Sequence, residues 1–421
     1  MSRIVVRGGG PLEGRVAIAG ATKNEGTKLM AAALLARGRT IISNIPRVGD
    51  LDVMIELLRV IGARVEWIGE SELAVDAAGD LEPVAPYELV SRMRASINVL
   101  GPLVARCGEA RVALPGGDAI GSRKLDMHLD GLRAMGATVE QEHGYVIAHT
   151  DGPLLGTRHV LEFPSVGATE NLLMAGALAK GVTVIDNAAR EPEVTELCAF
   201  LNRMGGHVLG GGTSCIEVHG VEELEPTEMH LIGDRIEVGT LLIGCAMAGG
   251  EIELEGAQLD HVEIMVRKLA DMGMLVSPTA DGIWARASQR LRAVDVATLP
   301  FPGFATDLMP PAVAMLTVCD GSGIVTENIY ESRFQFVDEL VRMGADVRHE
   351  GRHAIVRGVE RLQGAPVQAT DVRAGAALVL AGLVAEGETV VHGCDHVDRA
   401  YVDLAASLRA LGADARGEES D

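Results

Sequence analysis

Residues 112–126, VALPGGDAIGSRKLD, carry a carboxylate, Asp118, directly behind two glycines, with an arginine, Arg123, five positions beyond it. An acid and a cation on a glycine-rich loop suit proton transfer to a substrate that is itself an anion. The glycines Gly116 and Gly121 make G-x-x-x-x-G, but Ser122-Arg123 follows where a phosphate loop needs Lys-Ser/Thr. A Walker-type NTPase is therefore excluded. There is no GxGxxG after a strand, no HExxH and no GxSxG, and the 12 histidines show no metal-ligand spacing. The reading is a site with no metal and no cofactor.

Further charged residues stand where helices are expected to begin. The segments are GATKNEG (20–26), SRMRASI (91–97), SVGATEN (165–171), GDRIEVGT (233–240), GFATDLMPP (303–311) and ATDVRAGAA (369–377). Helix starts expose unpaired N–H groups and favour anions. If the segments converge, Lys23, Arg94, Asp234, Arg235, Asp307 and Arg373 surround a common space. Any one of them taken alone reads as a helix cap.

The elements that must position these residues repeat. A helix end, a glycine and a strand recur as LLRVIGARVEW, LRAMGATVE, LNRMGGHVL, LADMGMLVS, LVRMGADVR and LRALGADAR, with glycines at 62, 136, 205, 273, 344 and 412. A second element, an Ala/Leu-rich helix ending at glycine before a β-branched strand, precedes each one, as in ALAKGVTVI and LVAEGETVV. Two elements in register six times define six α/β units of roughly 70 residues. In DLDVMIELLRVIG, Asp50 is the candidate N-cap, and Met54, Leu57, Leu58 and Ile61 share a helix face. The acidic stretch VEELEPTEMH (221–230) separates three units from three.

Composition narrows the function. With 48% apolar residues the chain can build large cores, and its 51 glycines suit many short elements. A net charge of −22 with no basic tract argues against nucleic-acid binding, so an anionic ligand needs a local arginine cluster. Six dispersed cysteines, a polar start MSRIVVRGGG and no long apolar run predict a reduced, cytoplasmic protein that does not enter membranes.

The pieces GATKNEG, MRASINVLGPLVARCG, LPGGDAIG, SVGATEN, NAAREPEV, DRIEVGT, FATD and HVDRAY, kept in order over essentially the whole chain, resemble the UDP-N-acetylglucosamine enolpyruvyl transferase family. The resemblance implies two inside-out α/β domains of three repeated units each. The expected domains are 22–229, carrying a catalytic loop at 114–123, and 1–21 with 230–421, the site lying in the cleft between them. It also implies transfer of the enolpyruvyl group of phosphoenolpyruvate to the 3′-hydroxyl of UDP-N-acetylglucosamine, with release of phosphate, in peptidoglycan synthesis. Oligomeric state is expected to be monomer or weak homo-oligomer.

By resemblance, Asp118, Lys23, Asp307 and Arg399 are the catalytic residues. Lys23, Asn24, Arg123 and Arg399 meet phosphoenolpyruvate or the attacking hydroxyl, and Arg94 is a further ligand-binding arginine. Asp307 is the base or orienting carboxylate for the sugar hydroxyl. Arg123, Lys124, Leu125, Asp126 and Met127, with Phe163, Pro164, Ser165, Val166 and Gly167, line the nucleotide and its diphosphate. Ile329 offers a backbone contact, and Glu191, Arg333, Asp371 and Arg373 complete the substrate-binding set.

Three departures stand out. Asp118 occupies the position where most members have cysteine, so fosfomycin, which alkylates that thiol, is expected not to inactivate the protein. An extra residue, Thr22, separates GA from KN. Phe163 replaces a frequent lysine, while Lys124 stands where proline is frequent. Two alternatives stay open: a paralogue using another nucleotide or sugar acceptor, and a non-catalytic sugar-nucleotide-binding regulator.

Overall fold

Among the described residues six four-stranded sheets share one construction: a short strand runs parallel to a central strand, and two antiparallel strands follow on its other side. In a computed structural model, which describes residues 3–419 apart from the side chain of Thr22, the chain divides into two units. The N-terminal unit is Gly20–Gly117 with Arg123–Ile232. The C-terminal unit is the chain up to Ala19, Asp118–Ser122 and the chain from Gly233.

In the N-terminal unit the central strands are Arg39–Ser43, Glu109–Ala113 and Val182–Asp186. Each pairs antiparallel with the second strand of a hairpin, such as Thr138–Glu142 and Tyr145–His149. In the C-terminal unit the central strands are Gly250–Glu255, Ser322–Thr326 and Glu388–His392. The last sheet lacks a hairpin of its own. The N-terminal strand Arg3–Arg7 fills that place, lying antiparallel between Glu388–His392 and Asp414–Glu418.

The helices before the central strands are buried on nearly every side. In the C-terminal unit these are Arg235–Ala248, Met309–Leu316 and Val372–Leu383. A helix apolar all round belongs in a core, and these three pack on one another with the sheets outside them. That is the inside-out arrangement expected. A second helix in each unit is amphipathic, as in Gly49–Val60, where Met54, Leu57 and Leu58 are buried.

The six repeated glycines all follow such helices, with φ between +88° and +107°. This is the left-handed region where a side chain is strained, so the glycine pattern marks real helix ends. The N-cap expected at Asp50 is corrected: the helix starts at Gly49, Val48 is its N-cap residue, and Asp50 lies buried in the first turn. The loop 114–123, expected whole in the first domain, is shared out. Its residues 118–122 belong to the C-terminal unit, where the Ile120 carbonyl accepts from the Ser332 N–H at 3.1 Å.

Candidate active site

Asp307 sits in a single 3-10 turn, Thr306–Leu308, that leads into the core helix Met309–Leu316. It does not cap that helix. Its Oδ1 accepts from Arg333 Nη2 at 2.9 Å, and its Oδ2 accepts from Arg373 Nε at 3.0 Å. Both arginines are nearly inaccessible, at 3% and 1% exposure, whereas the Asp307 side chain keeps 21%. Burial works against the charge on both guanidiniums. Around Arg333 it is outweighed by Asp307 and Asp371, and around Arg373 by Tyr401, Asp307 and Asp234, so both pKa values rise. The result is a carboxylate with each oxygen oriented by a different fixed cation.

Arg333 also donates from Nη1 to Thr306 Oγ1 at 2.8 Å, and that hydroxyl donates to Glu327 Oε2 at 2.8 Å. Glu327 is fully buried, and its other oxygen accepts from the Ile329 and Tyr330 N–H groups at 2.7 and 2.9 Å. Since the Ile329 N–H is already used, a backbone contact from Ile329 to a ligand falls to its carbonyl. Asp371 and Asp234 are helix caps: Asp371 Oδ1 accepts from the Arg373 and Ala374 N–H groups, and Asp234 Oδ1 from those of Ile236 and Glu237. Arg235 lies over the ring of Phe301.

The second carboxylate of this unit is Asp118. Its Oδ1 accepts from Arg399 Nη1 at 2.7 Å, with side-chain exposures of 14% and 21%. Arg399 follows Val397 in a 3-10 turn near the C-terminus, 281 positions from its partner. The pairing therefore has no local signature in the sequence.

In the N-terminal unit Lys23 lies in a π-helical turn, Thr22–Gly26, immediately ahead of the helix Thr27–Ala32. This corrects the simple helix start expected there. The Lys23 carbonyl accepts from Thr27 Oγ1 at 3.0 Å and from Lys28 Nζ at 2.8 Å, so a buried ammonium holds the turn. Single π-turns concentrate at functional sites. Asn24, beside it, is half-buried.

Arg94 opens the 3-10 helix Arg94–Val99, and its Nη2 donates to the carbonyls of Arg123 and Lys124. Arg123 in turn packs near Gly117, while Lys124 and Asp126 are exposed, Leu125 is buried and Met127 is half-buried. Ser165 caps the helix Val166–Ala177, where Val166 and Gly167 form the first turn and Phe163 and Pro164 precede it. Glu191 is the N-cap residue of Pro192–Arg203 and is nearly buried.

Several buried polar residues had no sequence signal beyond ordinary helix composition. Glu170 is inaccessible, and burial pushes its carboxyl up to about 7 against the pull of Lys28 and of Asn98, which donates to it at 2.6 Å. His128 is pushed down to about 3, first by burial and then by Arg94, so its ring is neutral and Nδ1 can accept from Asn171 Nδ2 at 2.8 Å. In the C-terminal unit, burial beside Asp234 raises Glu237 to about 8. The buried Glu327 and Lys28 and the exposed Glu331 were also missed, because their partners are distant or are backbone atoms. Among the described residues no group of three or more His, Cys, Asp or Glu side chains is placed to hold a metal, and no helix is long and apolar enough to cross a membrane.

Comparison with known proteins gives a consistent result. Residues 6–408 match the family model described as EPSP synthase (3-phosphoshikimate 1-carboxyvinyltransferase). The UDP-N-acetylglucosamine 1-carboxyvinyltransferase of Mycolicibacterium paratuberculosis is 51% identical over 412 residues, covering 98% of each chain. Its counterpart numbered 1 in Halalkalibacterium halodurans is 48% identical, over 98% of this chain and 94% of the relative. The crystal structure of the enolpyruvyl transferase NikO from Streptomyces tendae is similar at a TM-score of 0.88 and 27% identity, covering 98% of both chains.

Proposed function

The chain belongs to the EPSP synthase family of carboxyvinyltransferases, and from that premise we propose that it moves the enolpyruvyl group of phosphoenolpyruvate to the 3′-hydroxyl of UDP-N-acetylglucosamine. Phosphate leaves, and the product enters peptidoglycan synthesis. The observation that carries this reading is identity of about half over nearly the full length of relatives with that activity in their names.

The reaction proceeds by addition and elimination. The methylene carbon of phosphoenolpyruvate takes a proton while the sugar hydroxyl attacks the neighbouring carbon and gives its own proton to a base. The tetrahedral ketal then expels phosphate and returns a proton from the new methyl group, restoring the alkene. Asp118 delivers the first proton, so it must meet the substrate in protonated form. Asp307 orients the sugar hydroxyl and accepts its proton, a task supported by the fixed direction of both its oxygens.

Lys23, Arg123 and Arg399 hold the phosphate and carboxylate of phosphoenolpyruvate and stabilise the charge that develops there. Asn24 and Arg94 assist at the same ligand, and Glu191 borders it. Residues 123–127 and 163–167 line the nucleotide, and Ile329 meets it through its carbonyl. Arg333 and Arg373 complete the substrate-binding set and also orient Asp307. Asp371 acts through the helix it caps. The reaction is placed in the cytoplasm, which the six free cysteines support.

Phosphate release from phosphoenolpyruvate that depends on UDP-N-acetylglucosamine tests the assignment. Release only with another acceptor would make the chain a paralogue with different specificity. No release with any UDP-sugar would sink the catalytic reading.

A further inference from the structure

A single stretch of the C-terminal unit, residues 327–335 (ENIYESRFQ), reaches both carboxylates assigned to the chemistry. Arg333 grips Asp307 from one side of it. Three contacts from the same stretch hold the segment that carries Asp118. Glu331 Oε1 accepts from the Ser122 N–H at 2.6 Å, the Ser332 N–H donates to the Ile120 carbonyl at 3.1 Å, and Gln335 Nε2 donates to the Ala119 carbonyl at 3.4 Å. Within the segment, the Ile120 N–H closes a tight turn onto the Asp118 carbonyl at 3.0 Å.

Only one of these three contacts uses a charged side chain, and it is not a surface ion pair. Glu331 is exposed, and the Ser122 N–H holds its carboxyl below the usual carboxylate range. Gly121, at φ +145°, brings the backbone so close that a Cβ there would stand 2.7 Å from Glu331 Oε2. The approach of loop to carboxylate therefore depends on both residues.

We propose that Glu331 is a positioning residue for Asp118: by accepting the Ser122 N–H it holds the 118–122 turn in the geometry that sets the Asp118 side chain beside Arg399. Glu331 touches no reacting atom and works through the turn. The proposal rests on the enolpyruvyl transfer reading and adds to it a residue that the motifs did not single out.

The test uses the full chain with Glu331→Ala and Glu331→Gln, measuring hydrogen exchange over residues 118–122 and the kinetics of acceptor-dependent phosphate release. In Glu331→Ala, exchange in the turn rises and kcat falls by about tenfold, with KM for UDP-N-acetylglucosamine within about twofold of wild type. Glu331→Gln recovers most of both, because its amide oxygen accepts the same N–H. Wild-type exchange or wild-type kcat in Glu331→Ala overturns the proposal, as does a loss confined to KM or a Gln variant no better than Ala. If the wild-type chain itself releases no phosphate with any UDP-sugar, the enolpyruvyl reading falls and the proposal falls with it. If the wild type turns over and Glu331→Ala matches it, the proposal alone falls.

Discussion

Asp307 and Asp118 are carboxylates of the same unit, both paired with arginine, yet they are held in opposite ways. Asp307 enters a core helix and is bound through both oxygens by arginines that are themselves buried. Asp118 stands on a glycine-flanked turn, takes 2.7 Å from one arginine, and owes its place to hydrogen bonds made by its neighbours' backbone. The first arrangement is preorganised and cannot move without exposing buried charge. The second can be undone by losing a few hydrogen bonds. The base role proposed for Asp307 benefits from the first, and the acid role proposed for Asp118, which must meet substrate and then take its proton back, benefits from the second.

The contrast is broken most severely at Asp307. Asp307→Asn removes the negative charge from between two buried guanidiniums. Transfer should fall on the order of a thousandfold, and stability should fall by about 3 kcal/mol because two buried cations each lose a directly bonded counter-charge. Steady-state kinetics and thermal unfolding measured together check this. A variant with normal unfolding would mean that the arginines are not held by Asp307.

At Asp118 the effect should be almost wholly catalytic. Asp118→Asn cannot deliver a proton and should lose about a hundredfold or more in kcat, with little change in the unfolding midpoint. Asp118→Cys should keep transfer activity and become open to alkylation by fosfomycin, seen by mass spectrometry as an adduct at that residue. The wild-type chain should stay unmodified, and a stable adduct on Asp118 would contradict the assignment.

A third carboxylate sharpens the comparison, because Glu170 is buried as deeply as the arginines but accepts from the neutral amide of Asn98. Its folded value, about 7, lies above the ordinary 4.5. Its stabilising contribution is therefore present below pH 4.5 and is lost as pH rises through 7. Glu170→Gln should flatten the fall in stability across that window by roughly 2 to 3 kcal/mol, measured by denaturant unfolding at pH 5 and pH 8. An unchanged slope would assign the pH dependence elsewhere, with Glu237 another acid that burial raises.

The smallest effect is expected at Gly121. Alanine there is strained at φ +145° and crowds Glu331 Oε2, a flexible carboxylate end. Gly121→Ala should lower kcat by a few-fold and speed exchange at residues 118–122 while costing only about 1 kcal/mol of stability.

The residues proposed to carry the chemistry, Asp118, Asp307, Arg399 and Lys23, all lie in motifs that the sequence displays. Their partners were mostly not. Arg333 and Arg373 were expected at the substrate, but nothing in the sequence showed that both also grip Asp307. Glu331 had no signal at all, because it binds a backbone N–H 209 positions away and any residue but proline at 122 supplies that donor.

By itself the sequence determined the sixfold α/β unit, the helix ends at its repeated glycines and the enolpyruvyl transferase family. Each of these rests on local geometry: hydrophobic period, a left-handed φ, or a short run of specific residues. Tertiary structure alone decided that Arg3–Arg7 completes the last sheet, that Asp118 meets Arg399, and that one stretch, 327–335, braces both carboxylates. Those pairings join residues far apart in the chain, where strand register and burial choose the partner and no spacing rule applies.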